Sequence, residues 1–138
     1  MNIYNNVRQD NGGSPDSENI EQITVRNTNF RTAVWTGSYM QMTVMCIPVC
    51  GDIGLEIHPQ TDQFIRIEQG NALAEIGKCK GNPDFQCCIK KNDAVFIPAG
   101  TWHNITNTGK IPLKVSVIYA PPHHPKGTVH PTKESADY

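Results

Sequence analysis

The chain has 138 residues, a formal net charge of -1 at neutral pH and no run of Lys or Arg. This length suits a single domain with one sizeable core, and the balanced charge argues against a nucleic-acid or membrane-surface binder. No stretch approaches the length of a transmembrane helix and residues 1–10 lack an apolar signal core, so we expect a cytoplasmic protein.

Short β-strands separated by turns are the main prediction from the sequence. Residues 11–16 have a loop composition, and residues 17–22 predict one helical turn. Runs with alternating polarity or many β-branched and aromatic residues predict strands at 31–36, 41–47, 64–68, 72–76, 86–89, 93–97, 102–106 and 113–119. A turn around Gly70 joins two of these strands in a hairpin.

This pattern, with almost no helix, predicts an all-β sandwich or barrel. Such a domain leaves sheet edges and apolar outer faces to cover. We expect the strand around Trp35 to cover them, within one chain or across a homodimer. Phe64 and Phe96 are expected to pack in the core, with a dimer contact as the alternative.

Five cysteines, at positions 46, 50, 79, 87 and 88, add a constraint on the cellular compartment. An odd number of cysteines without a secretion signal predicts reduced thiols in a cytosolic protein. No paired C-x-x-C element occurs, so a zinc knuckle is not expected.

Four polar side chains form the candidate functional site: Glu56, His58, Gln63 and His103. Residues two apart on a strand point to the same face, so Glu56 and His58 project together. Gln63 is an odd number of residues from His58, and a turn over 59–62 would let it face the same way. This mixture of imidazole, carboxylate and amide donors suits Zn, Fe, Mn, Ni or Co.

The spacing of these residues resembles the two motifs of the cupins, which are small antiparallel β-barrels with a metal inside. In the first motif His58 matches the second His, Glu56 replaces the first His, and Gln63 takes the place of the Glu that precedes Gly70. Cys50 stands where this motif usually begins with Gly.

The second motif is matched more fully. The matching positions are Pro98, Gly100, His103 and Asn107. Asn92 occupies the place of the usual Gly, a mild change because Asn tolerates the left-handed backbone conformation. The resemblance runs from about Val44 to Tyr119, roughly half of the chain.

The resemblance implies a single-domain cupin: an antiparallel double-stranded β-helix, or jelly-roll barrel, over residues 31–120. Residues 1–30 would be an N-terminal extension and residues 121–138 a Pro/His-rich C-terminal tail. It also implies a divalent metal ion held by Glu56, His58, Gln63 and His103. A similar ligand set occurs in phosphomannose isomerases of the cupin type, and the chain resembles small cupins described as mannose-6-phosphate-isomerase-like.

The tail carries three of the five histidines in a Pro-rich segment, at His123, His124 and His130. It is too rich in Pro for a helix or a central strand. One alternative is a solvated or dimer-wrapping tail. The other is a tail folded over the barrel mouth, where His124, Lys126 and His130 would supply positive charge for a phosphate or carboxylate.

Three functional hypotheses follow. In the first, the metal polarises a carbonyl of a small sugar, sugar acid or keto-acid, and a base (Glu56, His124 or His130) moves a proton in an isomerisation. In the second, iron or nickel supports dioxygenase or oxidative lyase chemistry. In the third, the barrel is a ligand-binding or sensor module without turnover.

Overall fold

Two antiparallel sheets make up the protein in the computed structural model, which describes residues 9–136. Residues 1–8 of the predicted extension and residues 137–138 of the predicted tail lie outside the described residues. The elements in chain order are α1 (Ile20–Arg26), β1 (Arg31–Thr36), β2 (Gln41–Ile47), β3 (Asp62–Gln69), β4 (Asn71–Gly77), β5 (Phe85–Lys90), β6 (Ala94–Ile97), β7 (Trp102–Asn107), β8 (Leu113–Ala120), β9 (Val129–His130) and α2 (Lys133–Ala136).

The larger sheet has the strand order β6-β3-β8-β2-β1-β9, and the smaller sheet has the order β5-β4-β7. Residues 52–56 extend the smaller sheet, because isolated antiparallel bridges join Asp52 to Thr106 and Glu56 to His103 on β7. This arrangement confirms the predicted all-β jelly roll, and β1 to β8 all lie within residues 31–120.

The core lies between the two sheets. Strand β3 shows how the sequence builds it, since Gln63, Ile65 and Ile67 alternate with more exposed residues and all three are buried. Most core residues are β-branched or small: Ile47, Ile53, Ile65, Ile67, Ala72, Ala74, Ile76, Ile89, Val95, Ile97, Ile105, Val115 and Val117. Such residues suit a pleated surface that is buried on one face.

Helix α1 differs from the predicted turn at residues 17–22. It begins at Ile20 and continues to Arg26, with the Asn19 side chain accepting a hydrogen bond from the Gln22 amide at 3.0 Å. Ile23 then packs on the outer face of the larger sheet, against Val34, Met42 and Val44. This tertiary contact stabilises a helix for which the local apolar pattern was weak.

The outer face of β3 and β6 lies beyond this helix. The rings of Phe64 and Phe96 are 5.1 Å apart, and Phe96 is 75% exposed. The expectation that Phe96 packs in the core is therefore wrong, because it points outward from an edge strand. The two rings border a groove of about 320 Å³ that also includes Ile118 and Pro98.

Two motif positions that usually hold Gly adopt a left-handed backbone here. Cys50 has φ of 65° and Asn92 has φ of 75°. Asn92 also accepts a hydrogen bond from Arg66 at 2.9 Å through its side chain, which helps to fix the turn before β6. The backbone geometry of the motif is thus kept although the glycines are replaced.

The C-terminal tail lies against the barrel. Strand β9 is at the sheet edge, beside β1, which is where a Pro-rich segment is tolerated. The Ala33 amide donates to the Thr128 carbonyl at 2.8 Å, and the Phe30 amide donates to the Pro131 carbonyl at 3.1 Å. Neither helix in residues 9–136 has the length and apolar character needed to cross a membrane.

Candidate metal centre

Glu56 and His103 are brought together by backbone pairing between segments far apart in the chain. The Glu56 amide donates to the His103 carbonyl at 3.1 Å, and the His103 amide donates to the Glu56 carbonyl at 2.9 Å. Residues paired in this way project their side chains to the same face of the sheet. Sheet register therefore fixes two of the four predicted donors.

His58 joins them from the end of the same segment. Its carbonyl accepts a hydrogen bond from the Gly100 amide at 2.9 Å, just before a turn at residues 59 and 60, which lies within the predicted turn over 59–62. The Nε2 atom of His58 is 3.3 Å from Oε1 of Glu56, and Nε2 of His103 is 3.6 Å from the same oxygen. The three ligand atoms lie within 4.8 Å of one another, so the cluster could hold a metal ion.

The tautomer of His103 is set by its second nitrogen. Nδ1 lies 3.0 Å from the Thr101 carbonyl oxygen, which can only accept, so Nδ1 carries the proton. Nε2 is buried without a hydrogen-bond partner, and 3.6 Å from Glu56 is too long for one. This nitrogen is oriented as metal-ligating imidazoles are.

Glu56 is ionised at neutral pH. Burial alone would raise the pKa of this carboxyl group, but its contact with Nε2 of His58 at 3.3 Å and the nearness of both imidazoles outweigh burial and hold the pKa well below its usual range. The side chain is 31% exposed, whereas the two histidine side chains are buried. The cluster thus presents an anionic oxygen on its open side.

Gln63 faces the same interior. It pairs with Tyr119 across the sheet, and the Tyr119 ring is 6.0 Å from the His58 ring. Its side-chain oxygen is buried and has no hydrogen-bond partner, which is costly unless something binds there. The ligand role of Gln63 stays a prediction.

His123 and His124 are brought to the cluster by the tail. The His123 ring is 4.0 Å from the His58 ring, and His124 packs edge-on against Tyr119 at 5.2 Å. Buried Gln41 fixes this stretch, because its side-chain oxygen accepts from the amides of His123 and His124 at 3.2 and 2.9 Å. The tail therefore folds over the candidate site, as one of the two alternatives predicted.

These tail residues do not supply the expected positive charge. Burial, together with the charge of Arg31, lowers the pKa of His124 to about 3, and the same two causes lower the pKa of His130. Both imidazoles favour the neutral form at neutral pH. Lys126 is exposed and donates to the Gly12 carbonyl at 2.9 Å.

Arg31 is the buried cation that the sequence analysis missed. It begins β1, is 4% exposed, and lies 3.1 Å from Nδ1 of His130 through Nη1. The sequence signal that could have identified Arg31 is its spacing of two residues from Ala33, because residues two apart share one face of a strand. His123 was also missed as a site residue, since nothing local distinguishes it from the rest of the tail.

The cysteines are outside this cluster. All five are free thiols, as predicted, and Cys50, Cys79 and Cys88 are exposed. The candidate site therefore consists of imidazole and carboxylate groups.

Comparison with known proteins places this arrangement in a family. The chain is 51% identical over 132 residues to protein YrkC of Bacillus subtilis (strain 168), covering 96% of this chain and 71% of that protein. The crystal structure of BH2720 from Bacillus halodurans superposes with a TM-score of 0.91 at 53% identity, covering 93% of this chain and 97% of that one.

A more distant structure shows the breadth of the fold. A Thermotoga maritima protein described as a predicted oxalate decarboxylase superposes with a TM-score of 0.53 at 22% identity, over 60% of this chain and 67% of that one. This likeness shows a shared fold alone. Residues 43–119 match the Cupin domain family, and the chain therefore belongs to the cupins.

Proposed function

We propose that the chain is a metal-dependent cupin that isomerises a small polyhydroxy or keto substrate, such as a sugar or sugar phosphate. The observation that carries this proposal is the convergence of Glu56, His58 and His103, whose ligand atoms lie within 4.8 Å of one another. A divalent ion (Zn, Fe, Mn, Ni or Co) suits these donors, with Gln63 as a fourth.

The donors fit a cation on physical grounds. An ionised carboxylate faces the lone pair of His103 Nε2, and that contact is repulsive unless a cation lies between them. The Gln63 side-chain oxygen and His103 Nε2 are both buried without partners. A bound ion would satisfy both atoms at once.

A bound divalent ion supplies Lewis-acid chemistry that polarises a substrate carbonyl. The remaining chemistry moves a proton from the neighbouring carbon to the former carbonyl carbon, so one base must accept the proton and return it. Glu56 is a poor base because its pKa is low and its carboxylate already contacts two histidines. His123 is exposed beside His58, so we propose it as the proton acceptor.

His124 and His130 were the other candidate bases. His124 is 9% exposed and lies behind His123, with the two ring centroids 4.7 Å apart. His130 is engaged by Arg31 at 3.1 Å. We propose that these two histidines support His123 and do not meet the substrate carbon themselves.

Removing one histidine of the cluster tests the metal site. We expect His58→Ala and His103→Ala each to weaken metal binding by at least about a hundredfold, since even groups that only orient a ligand contribute 10- to 100-fold. Elemental analysis and metal titration of the purified variants measure this loss. Circular dichroism should show the wild-type fold.

The matched control is His130→Ala, which removes an imidazole outside the cluster and should leave metal content unchanged. Full metal occupancy in either cluster variant would mean that the ligand assignment is wrong. For the reaction, solvent-deuterium exchange into candidate aldoses and ketoses reports proton transfer. It should depend on the metal and fall in His123→Ala.

A second function is favoured by one specific observation. The cluster has two imidazoles and one carboxylate, which is also the composition of the facial triad in non-haem iron oxygenases. Oxygen consumption by the iron- or nickel-loaded protein, without deuterium exchange, would favour this dioxygenase or oxidative lyase function. Ligand binding without either reaction would favour a sensor or binding module.

A further inference from the structure

Arg31 is a buried guanidinium without a carboxylate partner. Arg31 is 4% exposed, and it takes part in none of the ion pairs among residues 9–136. An isolated buried charge is costly, by far more than an exposed one. A protein keeps such a group where an anion binds or where buried polar groups surround it.

The hydrogen bonds of Arg31 leave its Nε without a partner and give its Nη2 only a weak one. Nη1 is 3.1 Å from Nδ1 of His130, and Nη2 is 4.0 Å from the sulfur of Met45, which is a weak acceptor. Nε has no partner. Nε and Nη2 form the side of the fork that holds a planar carboxylate with two parallel hydrogen bonds.

Arg31 lies on the same interior of the barrel as the candidate metal centre. Arg31 begins the inward face of β1, and its charge and a side-chain hydrogen bond both act on the Tyr119 hydroxyl, where they oppose the rise in pKa caused by burial. The Tyr119 ring is 6.0 Å from the His58 ring and 5.2 Å from the His124 ring. Tyr119 thus connects the guanidinium to the metal cluster.

His124 adds a second unsatisfied group to this region. Its Nε2 is buried without a hydrogen-bond partner, and the residue is 9% exposed. The His124 and His130 rings are 6.0 Å apart, so His124 lies next to the histidine that Arg31 engages. Two buried nitrogens without partners, on Arg31 and on His124, therefore mark one polar region lined by a cation.

We propose that Arg31 binds the carboxylate of the substrate, and that the substrate is a small polyhydroxy or keto acid. Its carboxylate pairs with the Nε–Nη2 edge of Arg31, and its hydroxyl or keto oxygens extend past Tyr119 towards Glu56, His58 and His103. The inference rests on the proposed metal centre for the second half of this statement. The carboxylate contact itself does not need the metal.

A carboxylate suits this site better than a phosphate. A planar carboxylate carries one charge and matches the side-on fork of one guanidinium. A doubly charged phosphate would lose more hydration on entering a buried site with a single cation. The neutral forms of His124 and His130 add no further charge there.

Binding of matched probes to the whole protein tests the proposal. Two series are titrated by calorimetry: glycerate, glycerol and glycerol 3-phosphate, then gluconate, sorbitol and sorbitol 6-phosphate. In at least one series we expect the carboxylate to bind about tenfold or more tightly than both partners. Arg31→Met should remove this preference and leave metal content and binding of the neutral polyol unchanged.

Two further variants serve as controls. Arg26→Met makes the same replacement at an exposed residue of α1 and should bind every probe like wild type. Arg31→Lys keeps the charge but loses the fork, so it should bind the carboxylate more weakly with normal metal content. This variant provides the test if Arg31→Met does not fold.

Thermal melting separates binding from a structural role. Ligand-free Arg31→Met should melt at or above the wild-type temperature, because an unpaired buried charge is replaced by an apolar chain of similar length. Wild type should gain stability with the carboxylate and Arg31→Met should not. A lower melting temperature together with unchanged carboxylate binding would show that Arg31 is only structural.

Other outcomes also decide the matter. Carboxylate binding that survives in Arg31→Lys and Arg31→Met, or a preference for the phosphate or the polyol in both series, overturns the inference. Carboxylate binding that depends on Arg31 in a protein without metal supports the inference and contradicts the proposed metal function. Metal binding without a preference for the carboxylate supports the proposed metal function and contradicts the inference.

Discussion

Some residues of the second motif belong to the candidate site, and others stabilise the fold. His103 points to the site, whereas Asn107 holds the chain. Asn107 is 3% exposed, and its side-chain nitrogen donates to the carbonyls of Ile47 and Ile111 at 3.1 and 3.0 Å. Its side-chain oxygen accepts from the Gly109 amide at 2.9 Å. One amide thus ties the end of β2 to the turn before β8.

Asn107→Ala should therefore change stability and not metal binding. The substitution removes a side-chain partner from the buried carbonyl of Ile47 and from two part-buried groups, the Ile111 carbonyl and the Gly109 amide. We expect a loss of about 2–3 kcal/mol in the free energy of unfolding. Urea denaturation followed by fluorescence measures the loss. Asn82→Ala, at an exposed position, should change stability by less than about 0.5 kcal/mol. A loss of metal without a loss of stability would contradict this role.

At the scale of elements, the order of the tail depends on contacts with three other parts of the chain. Gln41 on β2 binds the backbone of His123 and His124, as described above, and β9 pairs with β1. Asp10 provides the third contact. Its carboxylate accepts from the Gly127 amide at 3.0 Å, from the Thr36 hydroxyl at 2.5 Å and from the Gly12 amide at 2.9 Å. Because the tail carries His123, these contacts also position the candidate site.

Asp10 gives the tail a pH dependence. Burial raises the pKa of this carboxyl group, but the hydrogen bonds from Thr36, Gly127 and Gly12 outweigh burial and hold the pKa below its ordinary value of 3.8. The folded carboxyl group thus binds its proton less readily than the unfolded one. The stabilisation is complete above the ordinary pKa and is lost as the pH falls through the lowered one.

We therefore expect amide protection of residues 123–130 to be constant from neutral pH to about pH 4, the ordinary pKa of an aspartate, and to fall below it. Hydrogen exchange with mass spectrometry, corrected for the intrinsic pH dependence of exchange, measures this protection. In Asp10→Asn the group does not titrate, so the step should disappear and the tail should be less protected at neutral pH. An identical pH profile in both proteins would exclude Asp10 as the cause.

At the scale of the whole molecule, we propose a homodimer formed through the outer face of β3 and β6. Helix α1 packs over β2 and β8 and reaches β3, and β6 is the last strand of its sheet among residues 9–136. The Phe64–Phe96 pair and the apolar groove beside it lie outside that cover. An apolar patch next to an unpaired strand edge favours a second copy of the chain.

Phe96→Glu should shift the protein from dimer to monomer, since burial of a carboxylate in an apolar contact is costly. The expected change is at least about tenfold in the dissociation constant, measured by light scattering over a dilution series. Phe85→Glu is the matched control, because Phe85 is 49% exposed on β5 of the other sheet. A dimer that persists unchanged in Phe96→Glu would place the interface elsewhere.

The sequence by itself determined the strand pattern and most of the candidate donors. Alternating polarity predicted β1 to β8 with small errors at their ends, because a strand buried on one face must repeat every two residues. The motif spacing predicted that Glu56, His58 and His103 share one site, and the structure brings these three side chains together. It also marked Asn92 as a residue that tolerates a left-handed backbone, and its φ is 75°. These features are local, so a short stretch of sequence is enough to predict them.

Only the tertiary structure decided what surrounds those donors. The position of His123 beside His58 depends on Gln41 and on the path of the tail, and the unpartnered Nε of Arg31 depends on what packs around β1. The packing of the outer sheet face likewise decided that helix α1 forms and that Phe96 stays exposed. Contacts between residues far apart in sequence follow from packing of the whole chain, and a local pattern does not contain them.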